Sequence, residues 1–215
     1  MNSLAGKVLY ASPSLSDPNF ARSVVLLVQH TRMSDGDAAE AELWTPGGGA
    51  DGVPGALGLI LNRGSGARVA DVLASAEDLN PKSVACGVDA ELFHGGPCEG
   101  PLMVLHGGVP DPDRDEMSVL EGVTFSSDRD AIRPVLAGAV RPARFFAGYA
   151  GWGPGQLEAE LEAGAWVVGT LDAEVLFDPA VDPWARLLGG SSGGGGGSVL
   201  DGVHPDILPE DPSQN

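Results

Sequence analysis

Apolar residues in this chain come mostly in short runs bounded by turn residues, and few runs have helical spacing. Residues 23–29 and 56–62 are the clearest cases. Both are short, β-branched or Leu-rich, and closed by turn signals, so both are predicted to be buried strands. The same pattern predicts strands at 7–11, 91–94, 102–106, 119–125, 143–149, 166–169 and 174–177. A turn-rich stretch, 33–54, separates the two clearest runs, and a long hairpin is the simple reading.

Helical signals are fewer. In 68–79, Val69, Val72, Leu73 and Ala76 fall at i, i+3, i+4 and i+7, which makes one apolar face. Ser127 is predicted to cap a helix whose first turn holds Asp128 and Asp130, both favourable near the positive end of the helix dipole. Pro134 then kinks or ends it. A helix over 155–163 starts after Pro154 and stops at Gly164. With Gly153 as its cap, Gln156 sits at the third position and reaches back to the cap N–H, half of a capping box. Asp182 and Pro183, followed by Trp184, Leu187, Leu188 and Gly189, predict a short last helix. Strands outnumber helices and do not alternate regularly with them. The expected class is therefore α+β with a largely antiparallel sheet.

The 215 residues fit one domain with room for extra segments. Residues 189–198 are Gly and Ser only, a composition that cannot bury enough apolar area to offset its ordering entropy. We therefore divide the chain into a domain over 1–189 and a Gly-rich acidic tail over 190–215 that is expected to be disordered. Within the domain, 33–54 reads as an inserted loop, with Pro46, Gly47, Gly48, Gly49 and Pro54.

Charge changes the functional picture. The chain carries 12 Lys+Arg against 30 Asp+Glu, a formal net charge of -18. The tail holds four of the acids and no Lys or Arg, so the domain alone is at -14. Nucleic-acid grooves need clustered cations to release counterions, and anionic membrane surfaces attract them as well, so both partners are disfavoured. The longest aliphatic run, 24–28, is far short of a bilayer span, and the start lacks a secretory pattern. A soluble, cytoplasmic protein is expected. Cys86 and Cys98 are too few for a disulfide framework or a structural zinc site.

The most suggestive local chemistry lies at 144–156, which reads as strand, Gly-rich turn and helix N-terminus. Such a terminus attracts phosphates and carboxylates. Trp152 and Pro154 are bulky where a pyrophosphate loop needs bare backbone, and the G-x-G-x-x-G spacing is not met. A small-anion site and a structural tight turn both remain open, with Arg22, Arg63 or Arg129 as sources of charge. No stretch has the GK[ST] ending of a phosphate-binding P-loop. His30, His94 and His106 each end a predicted strand, but no HxH or HExxH spacing supports a metal site, and none is expected. Cys98 lies in the turn 94–101 beside Glu99, which opposes a reactive thiolate, and a turn role is favoured. Asp17, Pro18, Asn19 and Phe20 read as a capped helical turn with Phe20 as its anchor.

These motifs together resemble a known family. Ala11-Ser12-Pro13, Leu15, 17–25 and His30 resemble the opening of the AlgH/YqgE family. Residues 55–63, ending in Asn62 and Arg63, are similar to its G-x-x-G-hydrophobic-Asn segment. Gly95-Gly96-Pro97 is similar to its GGP turn, and Ser127-Asp128 to its serine–aspartate helix start. Gly148-Tyr149-Ala150-Gly151-Trp152, with 155–158 and then Trp166, resembles its most distinctive signature, and Leu176, Phe177 and Trp184 complete the order. The resemblance runs from about 4 to 189. It implies a compact α+β fold with a flattened, partly barrel-like sheet and a few short helices. It also implies a bacterial cytoplasmic protein associated with transcriptional regulation. It carries no catalytic residues and no cofactor. This chain departs from the family pattern in the length of 33–54, in its tail, and in Cys98, where many members have an aliphatic residue.

The expected function is a non-enzymatic regulatory or binding role, with a protein or small molecule as partner. The candidate binding patch is Asp17, Phe20, Asn62, Gly95, Gly96, Pro97, Asp128, Gly151, Trp152 and Gln156. The alternative is an enzyme or sensor that binds a small anionic metabolite at the 148–156 turn.

Overall fold

The apolar run near the start of the chain becomes the strand with the most continuous burial. Val24, Leu26 and Val28 enter one core cluster and Val25 and Leu27 enter another, on opposite faces of the sheet. A strand covered on both sides reads as unbroken hydrophobic sequence, which is why 23–29 shows no alternation. The computed structural model describes residues 3–31, 55–74, 89–181 and 183–184. The inserted loop, the tail and Cys86 lie outside the described residues.

The elements in chain order are β1 (Val8–Ala11), β2 (Val24–His30), β3 (Ala56–Ile60), β4 (Gly64–Arg68), α1 (Val69–Ala74), β5 (Glu91–His94), β6 (Cys98–His106), β7 (Glu116–Leu120), β8 (Val123–Ser126), α2 (Arg129–Leu136), β9 (Ala143–Trp152), α3 (Gln156–Glu162), β10 (Trp166–Gly169) and α4 (Ala173–Phe177). The strands form one sheet in the order β10-β1-β2-β3-β9-β6-β8-β7, with β4 on β5 and β5 on β9. Every pairing is antiparallel except β5 with β9. The sheet curls into a half-barrel, and the α+β class with a mostly antiparallel sheet is as expected. β2 and β3 pair antiparallel, the predicted hairpin.

Three apolar clusters hold the sheet and helices together. The first gathers Val24, Leu26, Leu59, Leu61, Phe125, Phe146, Leu176 and Trp184. The second gathers Leu9, Val25, Leu27, Ala150, Trp152, Leu157 and Trp166. The third packs α1 and α2 onto Val104 and Phe145. β9 feeds all three through Phe145, Phe146 and Trp152, so it organises the domain. Each such large side chain, fully buried, contributes about 1.5–3 kcal/mol of transfer free energy.

Several predicted elements are corrected. Residues 174–177 are not a strand but part of α4. Asp172 O accepts the first helical bond from Leu176 N, and Ala173, Leu176 and Phe177 turn one face to the core. The strand predicted at 119–125 is a hairpin instead. Gly122, at φ +74°, turns the chain between β7 and β8. β6 starts at Cys98 rather than Leu102, and β9 runs on to Trp152, so Gly148–Gly151 is strand rather than turn. β4, a polar Gly-rich strand, lacks an apolar signal altogether and forms by pairing with β5. Asp128, not Ser127, caps α2: its Oδ1 accepts from Asp130 N at 2.9 Å and Ala131 N at 3.0 Å. Pro134 lies inside α2, which continues to Leu136. The predicted helix at 68–79 is seen as α1 to Ala74, and its second half lies outside the described residues. Of the last predicted helix, Pro183 and Trp184 are described and helical.

Candidate functional site

β9 ends on Trp152 and α3 begins four residues later, so the side chains of that helix fall back over the indole. Trp152 Nε1 donates to Glu160 Oε2 at 2.9 Å, and Trp166 Nε1 donates to the same oxygen at 2.7 Å. Gln156 Nε2 donates to Glu160 Oε1 at 2.9 Å. Phe20 closes the group. Its ring stacks on Trp152 at 6.0 Å and meets Trp166 edge-on at 5.5 Å. Both indoles are almost fully buried, so their N–H groups need an acceptor, and one carboxylate supplies it.

Gln156 has a second task. Its Oε1 accepts from Gly153 N at 3.0 Å, the expected contact, but Gly153 is not the cap, so no capping box forms. Gly155, in left-handed conformation, takes the geometric cap position. The Gly153 N–H, two residues before the cap, is therefore taken by a side chain of the helix.

The GGP turn wedges into the sheet where β3 and β9 diverge. Gly95 O accepts from Ile60 N at 2.8 Å and Gly95 N donates to Ala147 O at 2.9 Å. A Cβ on Gly95 would sit 2.1 Å from Gly148 O, and one on Gly96 would meet the Tyr149 backbone at 2.2 Å. Gly148 itself has φ +73° and faces the carbonyls of Gly96 and Cys98. Gly151 lies against the Tyr149 ring and the Cys98 sulfur. Gly95 and Gly96 thus stand where backbones come too close for a side chain, whereas Gly151 meets only the Tyr149 and Cys98 side chains; Pro97 follows as an exposed residue.

The 17–23 turn is fastened to the end of β3. Asp17 Oδ1 accepts from Asn19 N at 2.7 Å, and Asp17 O accepts from Phe20 N and Ala21 N. Asn62 uses both ends of its amide: Oδ1 accepts from Val24 N and Nδ2 donates to Arg22 O, each at 2.9 Å. Arg63 donates to Asn19 O and Ala21 O. Arg22 adopts φ +60° and lays its guanidinium over Trp184, 5.1 Å from the ring centre. Arg144 donates to Leu61 O and covers Phe93 at 4.7 Å; its burial lowers its pKa, against the pull of Glu91 and Asp178.

Phe20, Trp152 and Gln156 are therefore brought together, the last through Glu160. Asp17 supports Phe20, and Asn62 holds the other end of the same turn. Asp128 stands apart, capping α2 after β8, two strands beyond β9 in the sheet order.

The three strand-end histidines go to three places. His30 Nε2 donates to Glu158 Oε1 at 2.9 Å while its Nδ1 accepts from Leu4 N. His94 is exposed, and its backbone N–H bonds Arg63 O. His106 is buried; Nδ1 accepts from Gly108 N at 3.2 Å, and Nε2 faces Glu116 Oε1 at 3.7 Å, too far for a hydrogen bond. Burial lowers the His106 pKa, and Glu116 partly offsets this. Among the described residues no group of three or more His, Cys, Asp or Glu is placed to hold a metal ion. Cys98 is a free thiol opposite Tyr149, whose pKa is raised by burial and by that neighbour.

Sequence reasoning missed Glu160 and the His106–Glu116 pair. Glu160 had one available signal: it lies four residues after Gln156 and follows a buried Trp, whose N–H must find an acceptor. Glu116 had none, because its burial depends on the β7–β8 hairpin that the sequence hid.

Comparison with known proteins agrees with these motifs. The profile of the AlgH-like family matches residues 50–193. The UPF0301 protein of Streptomyces coelicolor is 37% identical over 173 residues, covering 78% of this chain and 76% of the relative. The UPF0301 protein of Myxococcus xanthus is 35% identical over 178 residues, covering 82% and 83%. The solution structure of the AlgH protein from Pseudomonas aeruginosa is similar with a TM-score of 0.61 at 30% identity, covering 82% of each chain. A crystal structure of a protein from Corynebacterium diphtheriae gives 0.60 at 25% identity, covering 87% and 86%. The chain belongs to the AlgH-like family.

Proposed function

We propose that this is a non-enzymatic cytoplasmic protein that acts by binding a protein partner through its acidic surface. Any regulatory effect then passes through that partner and not through direct contact with DNA. The observation that carries this reading is the distribution of charge. Residues 145–185 contain seven acids and no Lys or Arg. Of these acids, Glu162, Asp172, Glu174 and Asp178 are exposed. Such a segment repels phosphate backbones and favours a basic protein surface.

The motif side chains support the same reading, because their polar atoms are spent on the fold. Asn62, Arg63, Asp128 and Gln156 bond backbone groups, and Glu160 bonds two indoles. The alternative, a small-anion site at 148–156, gains no support from this geometry. Gln156 takes the Gly153 N–H, and Gly151 and Trp152 lie in the β9 ladder opposite β3.

A thermal-shift screen tests this. Nucleotides, phosphorylated metabolites and duplex DNA are expected to leave Tm unchanged at physiological salt, whereas a lysine-rich polypeptide raises it. Stabilisation by any nucleotide or phosphometabolite would overturn the reading in favour of the anion site.

A further inference from the structure

The two ends of the sheet are built differently. β7, at one end, begins with Glu116, whose carboxylate points into the protein and is almost fully buried. Inward charge is one of the devices by which edge strands resist pairing with another chain. β10, at the other end, is only four residues long, which is itself such a device, but it lacks a charge, a Pro and a bulge. Its sequence, Trp-Val-Val-Gly, carries no charge and no Pro, and its register with β1 is unbroken by a bulge.

Register shows which backbone groups β10 leaves over. Ser12 N donates to Ala165 O, whereas Ala11 N donates to Ser23 O on the β2 side. In an antiparallel ladder, bonded and non-bonded pairs alternate. The pairs Tyr10–Val167 and Val8–Gly169 are therefore the bonded ones, and Leu9–Val168 and Ala11–Trp166 are not. The N–H and C=O of Val168 and Trp166 consequently point away from β1, but Trp166 is only 4% exposed, so of the two it is Val168 that a partner can reach. Among the described residues no strand pairs with that side. The Val168 side chain is 38% exposed, one of two large exposed hydrophobics among the described residues.

We propose that the free edge of β10 is a docking site for an extended segment of another protein, added as a further antiparallel or parallel strand. The segment carries β-branched residues at alternate positions, facing Val168, with Lys or Arg among and beside them. Its charge follows from the flanks of β10: Glu162 precedes the strand, Asp172 and Glu174 follow it, and all three are exposed. Main-chain bonds to Val168 supply affinity, and the acids select a basic partner. A second copy of this chain fits poorly, because edge-to-edge pairing would bring the same acids together on chains that each carry -18. The inference deepens the partner-binding reading above and rests on it.

The test uses the full chain and a synthetic peptide alternating lysine with valine. Binding is followed by NMR, with amide exchange read residue by residue. The expected result is binding, with exchange of the Val168 amide slowed about tenfold or more, while the Tyr10 amide, already bonded within the sheet, is unchanged. This readout needs no variant. Val168→Pro removes only an outward N–H, which an edge strand tolerates, and it is expected to weaken binding about tenfold or more with unchanged near-UV circular dichroism. Binding with no slowing at Val168, or equal binding by Val168→Pro, would overturn the edge proposal and leave the partner reading standing. No binding by either protein would overturn both. A dimer of the free chain that Val168→Pro dissociates would replace the foreign strand by a second copy.

Discussion

Trp152 and Trp166, on strands that are not neighbours in the sheet, donate their indole N–H groups to a single oxygen of Glu160 at 2.9 and 2.7 Å. This shared acceptor ties the end of β9, the start of β10 and α3 into one unit, with Phe20 packed against both rings. Removing the carboxylate leaves two buried donors without a partner. Glu160→Ala is expected to cost about 3 kcal/mol, a fall in Tm of about 6–12 °C for a domain of this size. Glu160→Gln retains a carbonyl acceptor and is expected to cost about 1 kcal/mol. Urea denaturation of both variants checks the order.

Gly148 is the backbone position on which the GGP turn depends. At φ +73°, a Cβ there would lie 2.8 Å from both the Cys98 and Gly96 carbonyl oxygens. Left-handed backbone and overpacking add, so Gly148→Ala is expected to lose about 3 kcal/mol. Faster amide exchange at Gly95, which bonds Ala147 O, would show that the loss starts at this junction.

His106 gives the domain a pH dependence of definite sign. Its Nδ1 accepts the Gly108 N–H, so the folded state holds the neutral ring, and burial lowers its pKa below the ordinary value of about 6.5. The stabilisation is complete above the unfolded-chain value. It declines as pH falls below that value, until the folded-state pKa is passed. Stability measured against pH should therefore drop on the acid side, and His106→Gln should remove that part of the slope. An equal slope in both proteins would show that other groups control it.

Asn62 closes the turn that carries Phe20. Its amide serves Val24 N and Arg22 O at once. Asn62→Ala is expected to lose about 2 kcal/mol. Asn62→Asp, which keeps the acceptor and loses the donor, should fall between the two. Chemical denaturation followed by tryptophan fluorescence reads the stability together with the environment of the buried tryptophans.

Legibility followed the physical origin of each element. Strands buried on both faces, such as β2 and β3, announce themselves because nearly every residue is apolar. β4 does not, because it is held by pairing with β5 and exposes alternate residues. α4 reads as a strand in the sequence because Glu174–Phe177 is too short for periodicity to separate strand from helix; Asp172 and the burial of Leu176 decide it. β9 was cut short because its glycines read as a turn, yet they permit the close approach of the GGP loop. The motif residues were found individually. Their connections, such as Glu160 between two tryptophans, depend on tertiary placement that no local pattern encodes.

The proposed partner surface is the β10 edge with the exposed acids that flank it, Glu162, Asp172 and Glu174. The most direct measurement is an NMR titration of the full chain with the lysine–valine peptide and, separately, with duplex DNA at physiological salt. Saturable shifts within 162–174 are expected on adding peptide, and none with DNA. Shifts at Gly153–Gln156 with DNA, or peptide shifts that avoid β10, would contradict this.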